Sequence, residues 1–180
     1  MVNAMDRARK VWRMEAKAIE KLQKTIHPDS FYQVIKLLKD CKGTGKRVLI
    51  TGKGTSGAVA RKVAHDLCCV DIPTVFLSLG EGVSAAMGLA QPGDLLILIS
   101  KGGSADEILR FIKPAHKKGV TTVGITHTPA SPLALKTDYM LHVPVDREVN
   151  DSNSLATAGT NSLLAVFDAI EVVLDEDSEL

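Results

Sequence analysis

A chain of 180 residues with 45% apolar and 24% charged residues is long enough to bury a single core without disulfides. Its 22 basic and 21 acidic residues leave a formal charge of +1, which excludes the long-range field of a nucleic-acid or anionic-membrane binder, so any anion must be held locally. Aromatic residues are only 4%, and a core built from Val, Leu, Ile and Ala suits an α/β protein.

The leading segment places Met5, Ala8, Val11, Trp12, Ala18, Ile19 and Leu22 mostly on one helical face. Asp29 can cap a second helix carrying Phe31, Val34, Ile35, Leu38 and Cys41, which Gly43 and Gly45 end. Whether these helices pack on their own sheet or on another subunit is left open. Residues 48–50 then form a short apolar strand, and Gly52, Gly54 and Gly57 turn the chain into a helix running through Ala58, Val59, Val63, Ala64 and Leu67. Backbone amides of such a turn, the positive end of the helix and the hydroxyls of Thr55 and Ser56 together suit a phosphate.

A second strand over 74–77 leads to a helix through Val83, Ala86, Met87 and Leu89, closed by the turn Pro92-Gly93-Asp94. Residues 95–99 are the most continuous apolar run, a strand buried on both faces, and Ser100-Lys101-Gly102-Gly103-Ser104 follows it before another helix. That helix is lined by Ile108, Leu109, Ile112 and Ala115 and ends at Gly119. Strands over 122–126 and 139–143 come next, and residues 154–174 read as a long final helix. No linker divides the chain: a single domain over 1–180 is expected, with leading helices over 1–42 and an α/β core over 46–174.

Alternating strands and helices predict a three-layer, flavodoxin-like sandwich with a five-stranded parallel sheet in the order 2-1-3-4-5. The loops after strands one and three then line one crevice at the carboxyl edge, where the strand order reverses. Gly52, Gly54 and Gly57 also match the dinucleotide fingerprint GxGxxG, but the second strand ends without an acid, the first being Glu81. A Walker A loop is excluded, because no Gly-Lys-Ser/Thr follows at the required spacing.

Cys41, Cys68 and Cys69 lack zinc spacing and read as buried thiols in a reducing compartment. His27, His65, His116, His127 and His142 contain no pair spaced as a zinc helix motif, so no metal or cofactor is expected. No apolar run reaches the roughly 18 residues of a membrane helix, and the start lacks the apolar stretch of a signal peptide. Asp6, Glu15 and Glu20 argue against a transit peptide. A cytoplasmic protein with neither nucleic acid nor membrane as partner is expected.

The runs Cys41-Lys-Gly, Thr51-Gly-Lys-Gly-Thr-Ser-Gly, Arg61-Lys-Val-Ala, Gln91-Pro-Gly-Asp, Ile99-Ser-Lys-Gly-Gly-Ser with Glu107, and Thr157-Ala-Gly-Thr resemble sugar isomerase (SIS) domains, most of all the arabinose-5-phosphate isomerase group. The resemblance runs from about Lys39 to Leu174. It implies a five-stranded parallel α/β sandwich, a homotetramer with sites near subunit interfaces, a phosphorylated or similarly anionic sugar as ligand, and aldose-ketose isomerisation through an enediol.

Departures from that pattern fall in the loops. The group's first loop reads GMGKSG with a catalytic lysine, whose position is Thr55 here, with Lys53 two residues earlier. Its third-strand loop reads SNSGE where this chain has Ser100 to Ser104, and one of its histidines corresponds to Ser84. A second histidine lies past Leu180, as do the CBS domains that those isomerases commonly carry. The group's two glutamates match Glu107 and Glu148.

The expected catalytic set is therefore Glu148 as base, Glu107 assisting, Lys53, and His65 reaching the site of its own or a neighbouring subunit. Gly54, Thr55, Ser56, Ser100, Lys101, Gly102, Gly103 and Ser104 are expected to bind substrate, with Ser56, Ser100, Ser104 and Lys101 on the anion. Composition alone reads Glu148 differently, as a solvated loop glutamate paired with Arg147 among Asn150, Asp151 and Asn153. The alternative to an isomerase is a module that binds a sugar phosphate and senses it without converting it.

Overall fold

A computed structural model describes residues 3–146, 148 and 156–176. Its centre is a parallel sheet of five strands in the order β2-β1-β3-β4-β5, with β1 Val48–Gly52, β2 Thr74–Phe76, β3 Leu95–Ile99, β4 Thr121–Thr126 and β5 Tyr139–His142. The predicted order is thus the observed one. Central strands β1 and β3 pair in register from Val48↔Leu95 to Gly52↔Ile99.

Side chains alternate across the sheet, and each face meets its own layer. Val48, Ile50, Leu95, Ile97 and Ile99 join the core beneath α2 (Pro28–Lys39), α3 (Thr55–Cys69) and α8 (Ala158–Glu176). Leu49, Leu96 and Leu98 join the opposite core with Ile108, Phe111 and Leu133. Both central strands are buried at every residue, which is why they read as unbroken apolar runs.

α1 (Ala4–Thr25) is capped by Asn3, whose side chain accepts from Met5 N at 3.1 Å. It lies on α8 and buries only Leu22. α2 instead sinks Val34, Ile35 and Leu38 into the core. The question left open by the sequence thus divides: α2 packs within the chain, whereas α1 leaves Trp12 59% and Ile19 40% exposed.

The predicted helix over 83–89 is broken. A 3-10 turn at Leu79–Glu81, α4 at Gly82–Ala86 and a second 3-10 turn at Met87–Leu89 take its place, because Gly80, Gly82 and Gly88 weaken any continuous helix here. The helix after β3 splits into α5 (Asp106–Leu109) and α6 (Ile112–Lys117). Pro114 lacks the N–H that would bond to the Arg110 carbonyl, so the chain restarts with proline in the first turn. α7 (Pro132–Lys136), an element not expected from the sequence, starts from Ser131, whose hydroxyl accepts from Ala134 N. The last helix begins at Ala158 rather than 154, and residues 154 and 155 lie outside the described ones.

The Gln91-Pro-Gly-Asp run explains itself at the amino edge of the sheet. Asp94, 2% exposed, accepts from Arg47 N and Gln91 N, both at 2.9 Å, and from the Arg47 guanidinium at 3.1 Å. It ties the starts of β1 and β3 together. No helix among the described residues is long and apolar enough to cross a membrane.

Candidate functional site

At the carboxyl edge of the sheet, β1 runs into α3 through a turn closed by direct backbone contact. A Cβ on Gly52 would stand 2.6 Å from Ser56 C and O, and one on Gly57 would stand 2.6 Å from Gly52 O, so neither position admits a side chain. Gly54 is the N-cap of α3 with φ 58° and has no side chain to cap with. The first-turn amides of α3 therefore meet no side-chain acceptor, and they face the crevice with the positive end of a 15-residue helix behind them.

The loop after β3 is stitched to the loop after β4. The Lys101 carbonyl accepts from His127 N at 3.0 Å and from Thr126 Oγ1 at 2.9 Å, and the Gly103 carbonyl accepts from Leu133 N at 2.9 Å. These bonds fix where the Lys101 and His127 side chains start. The Ser56, Ser100 and Ser104 hydroxyls make no hydrogen bond among the described residues, and so remain available to an anion. Ser100 is buried at 8% exposure, Ser56 is half-buried, and Ser104 is exposed beside Gly102.

Glu148 is the most constrained group of the site. Its side chain is 1% exposed and its Oε1 lies 2.8 Å from Lys101 Nζ. Its Oε2 accepts from Thr157 N at 2.9 Å, Thr157 Oγ1 at 3.1 Å and Gly159 N at 3.2 Å, so the carboxylate also caps the start of α8. Burial pushes its pKa up, but the Lys101 ammonium and the Thr157 and Gly159 amides outweigh that and hold it below the usual glutamate value. Glu148 is thus ionised inside the protein, which overturns the solvated-loop reading that composition favoured. Arg147, the partner in that reading, lies outside the described residues, as do Asn150, Asp151 and Asn153.

His127 was not among the expected site residues. Its Nδ1 bonds to the Val143 carbonyl, and burial, then Lys101 and His142, lower its pKa against the opposing pull of Val143 and Glu148. Gly159 explains how closely the groups converge: a Cβ there would stand 2.8 Å from Glu148 Oε1 and 2.9 Å from His127 Nε2. Thr55, Ser56, Lys101, His127, Glu148 and Gly159 border one narrow cleft.

Other expected residues stand apart from it. Lys53 and Glu107 pair with each other at 2.5 Å, with side chains 57% and 48% exposed, and neither borders the cleft. The Lys53 ammonium, with the helix start, lowers the Glu107 pKa. His65 sits about 15 Å along α3 from Thr55, 77% exposed and bonded to Asp66 at 3.2 Å. The expectation that it reaches the site of its own chain is corrected: ten residues of helix carry it away. Of the three cysteines expected to be buried, only Cys41 is; Cys68 and Cys69 end α3 and are exposed. Among the described residues, no three His, Cys, Asp or Glu side chains cluster as a metal site.

A family model described as SIS domain matches residues 44–174. Arabinose 5-phosphate isomerase KpsF of Escherichia coli O6:H1 is 31% identical over 160 residues, 89% of this chain and 48% of that protein. The chain spans about half the length of the curated relatives it matches. Among solved structures, a Listeria monocytogenes protein described as a candidate sugar-phosphate isomerase superposes with a TM-score of 0.92 at 34% identity, covering 97% of this chain and 90% of that one. An E. coli CFT073 protein solved in complex with arabinose 5-phosphate gives 0.90 at 28% identity, covering 99% and 94%. With the parallel sheet, the two Gly/Ser loops and the match over 44–174, the chain belongs to the SIS domain family.

Proposed function

We propose that this chain is an aldose-ketose isomerase, an intramolecular oxidoreductase acting on a phosphorylated or similarly anionic sugar, with Glu148 as the base that moves a proton between C2 and C1. The observation that carries the reading is a carboxylate 1% exposed yet held ionised, at the carboxyl edge of the sheet beside the first turn of α3. An enediol route needs one carboxylate that takes a proton from carbon and returns it to the neighbouring carbon, and a positive group for the oxyanion formed meanwhile. Among the described residues, Lys101, at 2.8 Å from Glu148, is such a group. The anionic end of the sugar suits the α3 amides with Ser56, Ser100 and Ser104.

Relatives of the family bear on the substrate class: KpsF is an arabinose 5-phosphate isomerase, and one similar structure holds arabinose 5-phosphate. Exposed Trp12, Ile19 and Tyr32 on the leading helices support assembly of subunits, which we take to be a homotetramer. The sensing module remains the second reading. It is favoured by Thr55 at the lysine position and by Lys53 being engaged with Glu107 outside the cleft.

Incubation with arabinose 5-phosphate and other sugar phosphates in deuterated water separates the two. The isomerase reading expects deuterium at C2 and formation of the ketose. Binding seen by thermal shift without either would support the sensor.

A further inference from the structure

We infer that His127 is the second proton carrier of this site, moving the hydroxyl proton from O2 to O1 of the sugar while Glu148 moves the carbon-bound proton. The inference rests on the isomerase reading above and assigns a role that neither loop motif pointed to.

Isomerisation displaces two protons, one from C2 to C1 and one from O2 to O1. As Glu148 takes the proton from C2, the C2–H electron pair becomes the C1=C2 bond and the C1=O1 pair moves onto O1. A base must then take the O2 proton and deliver it to O1. In the second half Glu148 returns its proton to C1, and the pair left on O2 closes the C2=O2 bond. Both carriers end as they began, and nothing is oxidised or reduced outside the sugar.

Among the described residues bordering the cleft, only Glu148 and His127 can take up a proton near neutral pH. Lys101 is cationic, Thr55, Ser56 and Thr160 carry weakly basic hydroxyls, and the others are apolar or glycine. His127 is also held in the tautomer the task needs. A carbonyl only accepts, so the bond to Val143 O puts the ring proton on Nδ1 and leaves a lone pair on Nε2 in the neutral ring. That Nε2 makes no hydrogen bond among the described residues.

Position agrees with chemistry. Nε2 and Glu148 Oε1 stand 2.9 and 2.8 Å from one point, the place of a Cβ on Gly159, so the two carriers flank the same small volume. The backbone of His127 is bonded to Lys101 O at 3.0 Å, and His142 Nε2 contacts the His127 carbonyl at 3.2 Å. The backbone that carries the ring is thus held from the β3 loop and from β5, and the ring itself by Val143. In a cis-enediol the two oxygens lie side by side, within reach of one imidazole nitrogen. The titratable groups facing the ring are Lys101 from the β3 loop, Glu148 from the segment before α8, and His142 from β5.

His127→Asn separates this role from a structural one, because the Asn amide can donate to Val143 as Nδ1 does but has no counterpart of Nε2. His127→Gln, whose amide reaches the Nε2 position without basicity, serves as the second variant and gives the same readout if the first does not accumulate. Both are assayed on arabinose 5-phosphate, or on whichever sugar phosphate the wild type turns over, beside Glu148→Gln. Expected are a fall in kcat of about a hundredfold or more, KM within about threefold, and loss of the acid-side limb of the kcat profile that His127 imposes below pH ~6.5. Either variant keeping kcat within about threefold while Glu148→Gln is inactive overturns the inference and leaves the isomerase reading standing. Full turnover by Glu148→Gln, or none by the wild type on any sugar phosphate, overturns both.

Discussion

Lys101 and Glu148 form an ion pair of unequal burial: the carboxylate is 1% exposed, the lysine side chain 42%, and 2.8 Å separates them. The lysine comes from the loop where the isomerase group's pattern has no cation, and the glutamate from the segment leading into the last helix. Among the described residues, removing the lysine leaves the buried carboxylate to the neutral donors of Thr157 and Gly159. Lys101→Met should therefore destabilise the fold by about 1–3 kcal/mol, below the figure for fully buried pairs because the lysine is partly solvated. Urea denaturation at pH 7 measures it.

The same pair sets a pH dependence. The folded pKa of Glu148 is depressed, so its contribution is complete above the unfolded value of about 4.3 and disappears as pH falls through the folded one. Glu148→Gln should flatten the acid limb of stability below pH ~4.3, as thermal melts across pH 2–6 would show.

Glu171 acts with the opposite sign. Burial, with Asp66 and Asp168 nearby and Lys62 opposing, raises its pKa from 4.5 to about 7, and its buried Oε1 has no partner among the described residues. Ionisation is therefore resisted in the folded state, and stability is lost as pH rises from about 4.5 to 7. Glu171→Gln should stabilise the protein by about 1–3 kcal/mol at pH 8 and have little effect at pH 4. Paired melts at the two pH values test this.

Gly159→Ala sets local helix preference against the site. Alanine is favoured over glycine in a helix by about 1 kcal/mol, yet its Cβ would stand 2.8 Å from Glu148 Oε1 and 2.9 Å from His127 Nε2. Both groups are held by bonds of their own, so one must move. Turnover should fall at least about tenfold, since misplacement by a fraction of an ångström is costly in catalysis, while the melting temperature changes by a few degrees at most.

How much of this was readable beforehand differs between fold and site. The strands were legible because β1 and β3 are covered on both faces, so their apolar runs needed no partner to be recognised. The first loop was legible because Gly52 and Gly57 meet backbone to backbone, a constraint that only glycine satisfies. Helix interruptions at Gly88 and Pro114 do not show in the sequence because apolar spacing continues across them, and α7 does not because its five residues are too few for a period to show.

Glu148 could be reached only through the family resemblance. Its polar sequence neighbours suggest solvent, whereas its burial is made by Lys101, 47 residues away in sequence, and by Thr157 and Gly159 from the start of α8. His127 gave one weak signal, its place directly after β4 at the edge where the two Gly/Ser loops gather. Its meaning comes from Val143 and Gly159, which no local pattern connects to it.

The central claim is that Glu148 transfers the proton between C2 and C1. Deuterium incorporation at C2 of arabinose 5-phosphate, followed by NMR in deuterated water for the wild type, Glu148→Gln and Glu107→Gln, tests it most directly. The account predicts exchange by the wild type and a loss of at least about a hundredfold in Glu148→Gln with binding unchanged by thermal shift. Exchange by Glu148→Gln at the wild-type rate, with Glu107→Gln inactive, would contradict it and move the base to Glu107.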